Sequence, residues 1–152
     1  MIETPIAVTF ASERVAAVWP EIYPLFEKHW EEIGEYKDIP LNPDFEAYKK
    51  LDEIGMMRVY TAREDGVLVG YCVFFVNPNL HYKNTTQALQ DVMFIKKERR
   101  GFGKKFMEWS DEQLRGEGVD VIHRYMSTDN NFGVLLERIG YEFKALIYSR
   151  RL

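Results

Sequence analysis

Apolar positions along the chain switch between a spacing near 3.6 and a spacing of two, and these switches mark out the elements. Ile6-Ala7-Val8-Thr9-Phe10 reads as a first strand. Ser12 is placed to cap a helix running to about Glu32, with Val15, Val18, Trp19, Ile22, Leu25, Phe26 and Trp30 on its inner face. Gly34 to Pro43 is a loop, and a second helix spans Pro43 to about Ile54, ended by Gly55. Met57 to Ala62 alternates as a strand, Glu64-Asp65-Gly66 is a hairpin turn, and Val67 to Val76 is the long partner strand.

Asn77-Pro78-Asn79 breaks that strand, and a loop from His81 to Thr86 leads into another, about Gln87 to Ile95. The helix Gly101 to Gly116 turns Phe102, Phe106, Trp109 and Leu114 inward and Lys104, Lys105, Glu108 and Glu112 outward. Val119 to Tyr125 is a strand, Asn130 or Asn131 opens a short helix ending at Gly140, and Tyr141 to Tyr148 is the last strand. The order βααβββαβαβ predicts an α/β fold (α+β by some schemes) around a mixed sheet.

Composition adds few constraints. With 152 residues, 46% hydrophobic content and no repeat or linker, the chain reads as one domain over 1–152. Cys72 is the only cysteine, so neither an intrachain disulfide nor a cysteine metal cluster can form, which suits the cytoplasm. Met1 to Pro5 resembles no secretory leader, and no apolar run approaches the ~20 residues that span a bilayer, so no membrane role is expected. A net charge of −4 argues against nucleic acid as a partner.

That charge is unevenly spread. Residues 1–60 hold twelve acids and six bases, whereas Lys96 to Lys105 holds six bases and one acid. In this basic stretch a strand passes through Gly101 and Gly103 straight into a helix. Bare backbone and the N–H groups of a helix start favour an anion such as a phosphorylated ligand. The turn lacks G-x-x-x-x-G-K-[ST], so it is no nucleoside-triphosphate loop. Phe106 stands where a dinucleotide fingerprint needs its third glycine.

The Gly-x-Gly turn between the fourth strand and third helix, within this element order, resembles the GNAT family of N-acetyltransferases. So does Asn131-Phe132-Gly133-Val134-Leu135-Leu136-Glu137-Arg138-Ile139-Gly140-Tyr141, which is similar to that family's fourth helix with its terminal Gly-aromatic pair. More narrowly, Trp19-Pro20-Glu21-Ile22, Asp38-Ile39-Pro40-Leu41, Asp91-Val92-Met93-Phe94 and the tail from Tyr141 to Leu152 resemble a small phage and prophage subgroup.

The resemblance implies a sheet splayed between strands four and five, with acetyl-CoA as co-substrate in the split. It implies pantetheine along Met93, Phe94 and Ile95, pyrophosphate on Arg99, Arg100, Gly101, Phe102, Gly103 and Lys104, and Asn131 facing the pantetheine arm. Two positions depart from the family pattern. Glu98 stands where its turn has Arg or Gln, and Leu136 stands where many members carry a Tyr that protonates the departing thiolate.

An acceptor amine has a pKa of about 10.4 and must lose a proton before it attacks. Asp91, at the head of the strand that should line the acetyl group, is the candidate base; a strand-edge Asp bonded to a loop N–H is the plain alternative. His123 is a candidate relay through water, or else a packed, hydrogen-bonded histidine. Trp30, Glu31, Glu32, Tyr36, Asp38, His81 and Tyr82 collect in segments expected to build the acceptor side. Aromatic walls with carboxylates suit an ammonium group. No metal is expected, because His29 and His81 lack ligand spacing.

The leading expectation is therefore N-acetylation of a small-molecule or protein amine by direct transfer. The alternatives are a weak or inactive acyl-CoA-binding interaction protein and a related transferase acting on nucleic acid. Edge strands in such folds often pair across a two-fold axis, which leaves a homodimer open.

Overall fold

The computed structural model describes residues 7–129 and 131–152, with Arg100 described by its backbone alone. Ile6 and Asn130, the expected first strand residue and one expected helix start, lie outside that range. A five-stranded sheet has the order β1-β2-β3-β4-β5. The strands are β1 (Val8–Glu13), β2 (Met57–Glu64), β3 (Val67–Pro78), β4 (Thr86–Ile95) and β5 (Val121–His123). Successive pairs from β1 to β4 are antiparallel, and β4 with β5 is parallel.

Helices α1 (Val15–Ile33) and α2 (Phe45–Glu53) lie on one face of the sheet, and α3 (Gly103–Gly116) lies on the other. A short α4 (Gly133–Arg138) follows β5. The α1 face buries Val18, Ile22, Phe26, Tyr71 and Phe94 together. The α3 face buries Tyr60, Phe74, Phe106 and Leu114, and Phe10 stacks on Phe106 at 5.0 Å. Phe74 and Phe106 are fully buried, so truncating either to alanine costs about 3–5 kcal/mol. Among the described residues no helix is long and apolar enough to cross a membrane.

The start of α1 corrects the expected Ser12 cap. Strand β1 runs on to Glu13, and Arg14 takes the capping position without a side-chain cap. The cap comes from another helix. Asp52, buried at the end of α2, accepts from Val15 N at 2.9 Å and pairs with Arg14 Nε at 3.2 Å. A carboxylate at a helix start satisfies an orphan N–H and opposes the positive end of the helix dipole. Pro20 and Pro24 sit inside α1 on its exposed side, where the carbonyls they leave unbonded face water.

Two C-terminal expectations also change. Val119 to Tyr125 shortens to Val121–His123, because Arg124 turns inward and gives its guanidinium to α3 and β4. Tyr141 to Tyr148 forms no strand; the segment is irregular and largely exposed beyond Tyr141.

Candidate functional site

Pairing between β4 and β5 covers only Gln87–Val121, Ala88–Ile122 and Leu89–His123. Beyond Leu89, β4 keeps β3 on one side and, among the described residues, no strand on the other. The sheet therefore opens along Gln90 to Ile95. A buried guanidinium sits at the apex of that opening. Arg124, with a side chain 1% exposed, donates to Gln90 Oε1 (2.8 Å), Ser110 Oγ (2.9 Å) and Asp111 Oδ1 (2.7 Å). Its Nε donates to Tyr141 Oη at 3.0 Å, and Tyr141 Oη donates to Asp111 at 2.9 Å. Burial pushes the Tyr141 hydroxyl up to about 12, so it stays neutral in this network.

At the far end of the opening, residues Lys97–Phe102 form a 3₁₀ turn that leads into α3, with a kink at Arg99. A Cβ on Gly101 would meet nothing within 4 Å, and one on Gly103 would meet only Ile95 Cδ1 at 3.5 Å. Phe102 precedes α3 without a side-chain cap. Bare backbone thus meets an uncapped helix start, an arrangement that can hold a phosphate. The side chains contribute less than expected. Arg99 pairs with Glu64, and Lys104 Nζ lies 3.8 Å from Glu108. Phe102 packs its ring against Phe10 and Phe106, so it offers a ligand only its backbone.

Asp91 lies midway along the opened strand. The β3–β4 register steps from Val73–Val92 to Phe74–Gln90, which leaves Asp91 as the extra residue of a bulge. Two successive side chains, Asp91 and Val92, consequently face one cavity of about 450 Å³ on the α1–α2 side. Its wall also includes Trp30, Tyr36, Leu41 and Tyr48. Tyr48 Oη donates to Asp91 Oδ2 at 3.0 Å. Burial pushes the Asp91 carboxyl above its usual range, and the Tyr48 hydrogen bond pulls partly the other way.

Trp30 and Tyr36, two of the expected acceptor residues, line this cavity. Glu31 is exposed on α1 and does not line it. His81 and Tyr82 are in the turn before β4, at the opposite end of that strand from the glycine turn, and are also outside the lining. His123 is exposed opposite Leu89; its neighbour Ile122 packs on the α3 side, so His123 faces the side that carries Asp91. Met93 and Ile95 pack toward α3, while Phe94 is buried against His29 at 4.9 Å. Asn131 Oδ1 accepts from Gly133 N at 2.8 Å, which commits that oxygen to the start of α4. Leu136 is buried.

The sequence did not single out Tyr48 and Glu35, which also line the cavity, or Arg124 at the apex of the opening. Tyr48 is 43 positions from Asp91 and carried no motif; only the helical pattern of α2 could have put it on the inner face. Arg124 sat in a segment expected to continue as strand.

The profile of the acetyltransferase (GNAT) family matches residues 19–140. The chain belongs to the GNAT family. No curated protein matches it in sequence. Solved structures share the fold across nearly the whole chain. An aminoglycoside acetyltransferase from an uncultured soil metagenomic sample, in complex with sisomicin, superposes with a TM-score of 0.74 at 16% identity, covering 95% of this chain and 96% of that one. A ribosomal-protein-alanine N-acetyltransferase from Brucella melitensis biovar Abortus 2308 gives 0.72 at 19% identity, over 96% and 99%. A predicted acetyltransferase with acetyl-CoA from Clostridium acetobutylicum gives 0.70 at 9% identity, over 95% and 96%. These likenesses show the fold, and neither they nor the family profile single out a phage subgroup. Among the described residues no group of three or more possible metal ligands comes together.

Proposed function

We propose that this GNAT protein transfers acetyl from acetyl-CoA to a primary amine by direct transfer, with Asp91 as the base. The observation that carries the reading is the β4 bulge, which aims a half-buried carboxylate into a cavity beside the stretch of β4 that the β5 pairing does not reach. The residues fit the co-substrate. Gly101 leaves open space over bare backbone, α3 starts uncapped, and Gln90 to Ile95 border an opening between strands. The backbone of Gly101 to Lys104 holds the pyrophosphate, and Met93 to Ile95 flank the pantetheine.

Acetyl-CoA supplies the acetyl group as a thioester, and the chain supplies position and proton removal. The ammonium form of the acceptor enters between Trp30, Tyr36 and Asp91, stabilised by the aromatic faces and the carboxylate. Asp91 takes one proton from nitrogen, and Tyr48 holds the carboxylate in line. A base whose affinity for protons is raised above that of an ordinary aspartate is better matched to this task. The amine lone pair then forms the C–N bond as the C–S bond breaks. Leu136 has no proton to give, so the second proton that nitrogen loses passes through water to the departing thiolate.

Leu136 favours one second reading, a protein that binds acyl-CoA without turning it over. Two measurements separate the readings. Calorimetric titration of coenzyme A tests binding; absence of heat removes both. Release of coenzyme A from acetyl-CoA in the presence of polyamines, aminoglycosides and peptide amines supports the enzyme, and binding without release supports the alternative.

A further inference from the structure

The rim of the acceptor cavity already holds a cation. Arg151 donates to Asp38 through Nη2 to Oδ2 at 2.9 Å and Nη1 to Oδ1 at 3.4 Å. The same guanidinium lies 5.2 Å from the centre of the Tyr36 ring. Tyr36 is a wall of the cavity, so one positive group touches both a carboxylate and an aromatic face at its edge. A planar cation against a ring, held by two roughly parallel hydrogen bonds, is the arrangement by which proteins select guanidinium and ammonium groups.

Arg151 reaches this place from an irregular segment with little else to hold it there. Phe143, Leu146, Ile147 and Tyr148 are all more than 60% exposed, and no strand pairs with them among the described residues. Both partners of the ion pair are well open to water, with side chains 49% and 73% exposed. Exposed pairs of this kind contribute little, so a competing cation can exchange with Arg151. The cavity behind it continues the same character, with Glu35 and Asp91 among aromatic residues.

We propose that Tyr36 and Asp38 form a cation subsite at the cavity rim, that Arg151 fills it in the free protein, and that the acceptor carries a second cationic group which displaces Arg151. The acceptor class is thus an amine with an additional ammonium or guanidinium, such as a polyamine or an amino-guanidine. This rests on the acetyl-transfer reading and narrows it: the reacting amine goes to Asp91, and the second charge stays at the rim.

The test uses 4-aminobutylguanidine as the dication and pentylamine as its singly charged control. Each is titrated calorimetrically, without co-substrate, into the wild type, Asp38→Asn and Arg151→Ala, and thermal melts check that the surface variants stay folded. The wild type should prefer the dication, Arg151→Ala should bind it roughly three- to fivefold more tightly, and Asp38→Asn should lose the preference. Unchanged affinity in Arg151→Ala, or a preference kept in Asp38→Asn, overturns the subsite. Coenzyme A release is followed with both amines in parallel. Equal release from the two overturns the subsite alone, whereas no release from either, with the calorimetric preference intact, supports the subsite and removes the transfer reading.

Discussion

Tyr48 Oη donates a hydrogen bond to Asp91 Oδ2 across 3.0 Å and so ties the middle of α2 to the bulge of β4. The two residues are 43 positions apart in the chain and meet only in the fold. Burial raises the Asp91 carboxyl, while the Tyr48 hydroxyl stabilises its charged form. The balance between these effects sets the pH at which Asp91 loses its proton.

Replacing Tyr48 with Phe removes the stabilising donor and keeps the ring. The Asp91 carboxyl then rises further, so it becomes protonated at higher pH. The acidic limb of the pH profile of kcat/KM should move to higher pH in Tyr48→Phe, with the alkaline limb unmoved. A limb that stays in place or moves to lower pH would show that Asp91 is not the titrating base.

The glycine turn can be tested without disturbing the fold, because a side chain at Gly101 meets nothing within 4 Å. Gly101→Glu puts a negative charge where the pyrophosphate is proposed to sit. Coenzyme A affinity measured by calorimetry should fall at least about tenfold, a loss of roughly 1.4 kcal/mol, with the melting temperature unchanged. Unaltered affinity would move the phosphate site elsewhere.

Arg124 and Asp111 make a buried pair at 2.7 Å beneath the opening. Removing one member leaves an uncompensated buried charge, so Arg124→Met should destabilise the protein by about 3–5 kcal/mol in chemical denaturation. Arg124→Lys should not restore it, since one ammonium cannot serve Gln90, Ser110, Asp111 and Tyr141 from the directions a guanidinium fork reaches. Full stability in the lysine variant would contradict this account of the apex.

The hairpin at Asp65-Gly66 was legible because its chemistry is local. Both residues have positive φ, 49° and 79°, as an Asp-Gly hairpin turn requires. The strand into the glycine turn and the amphipathic α3 were legible for the same reason. The cap of α1 was not, because Asp52 reaches it from a helix 37 positions away, while the local Ser12 was absorbed into β1. The tail alternates enough to read as a strand, yet a strand also needs an edge to pair with. The short β5, ended by the inward turn of Arg124, leaves that edge undeveloped.

Candidate-site residues split in the same way. Asp91 drew attention as a carboxylate on the strand leading to the glycine turn, although it lies midway along β4 and not at its head, and Trp30 and Tyr36 drew attention as aromatic residues near acids. His81 and Tyr82 had equal chemical appeal, but the β3–β4 turn carries them to the end of β4 away from the glycine turn, outside the cavity lining. The bulge that turns Asp91 into the cavity depends on register with β3, which no pattern within β4 alone reveals.

The proposed mechanism turns on Asp91 taking the acceptor's proton during acetyl transfer. Coenzyme A release at saturating acetyl-CoA, compared between the wild type and Asp91→Asn on an acceptor the wild type uses, tests it most directly. The account predicts a fall of about 10²–10⁴ in kcat/KM for the amine with coenzyme A affinity retained. Turnover by Asp91→Asn at the wild-type rate would contradict it.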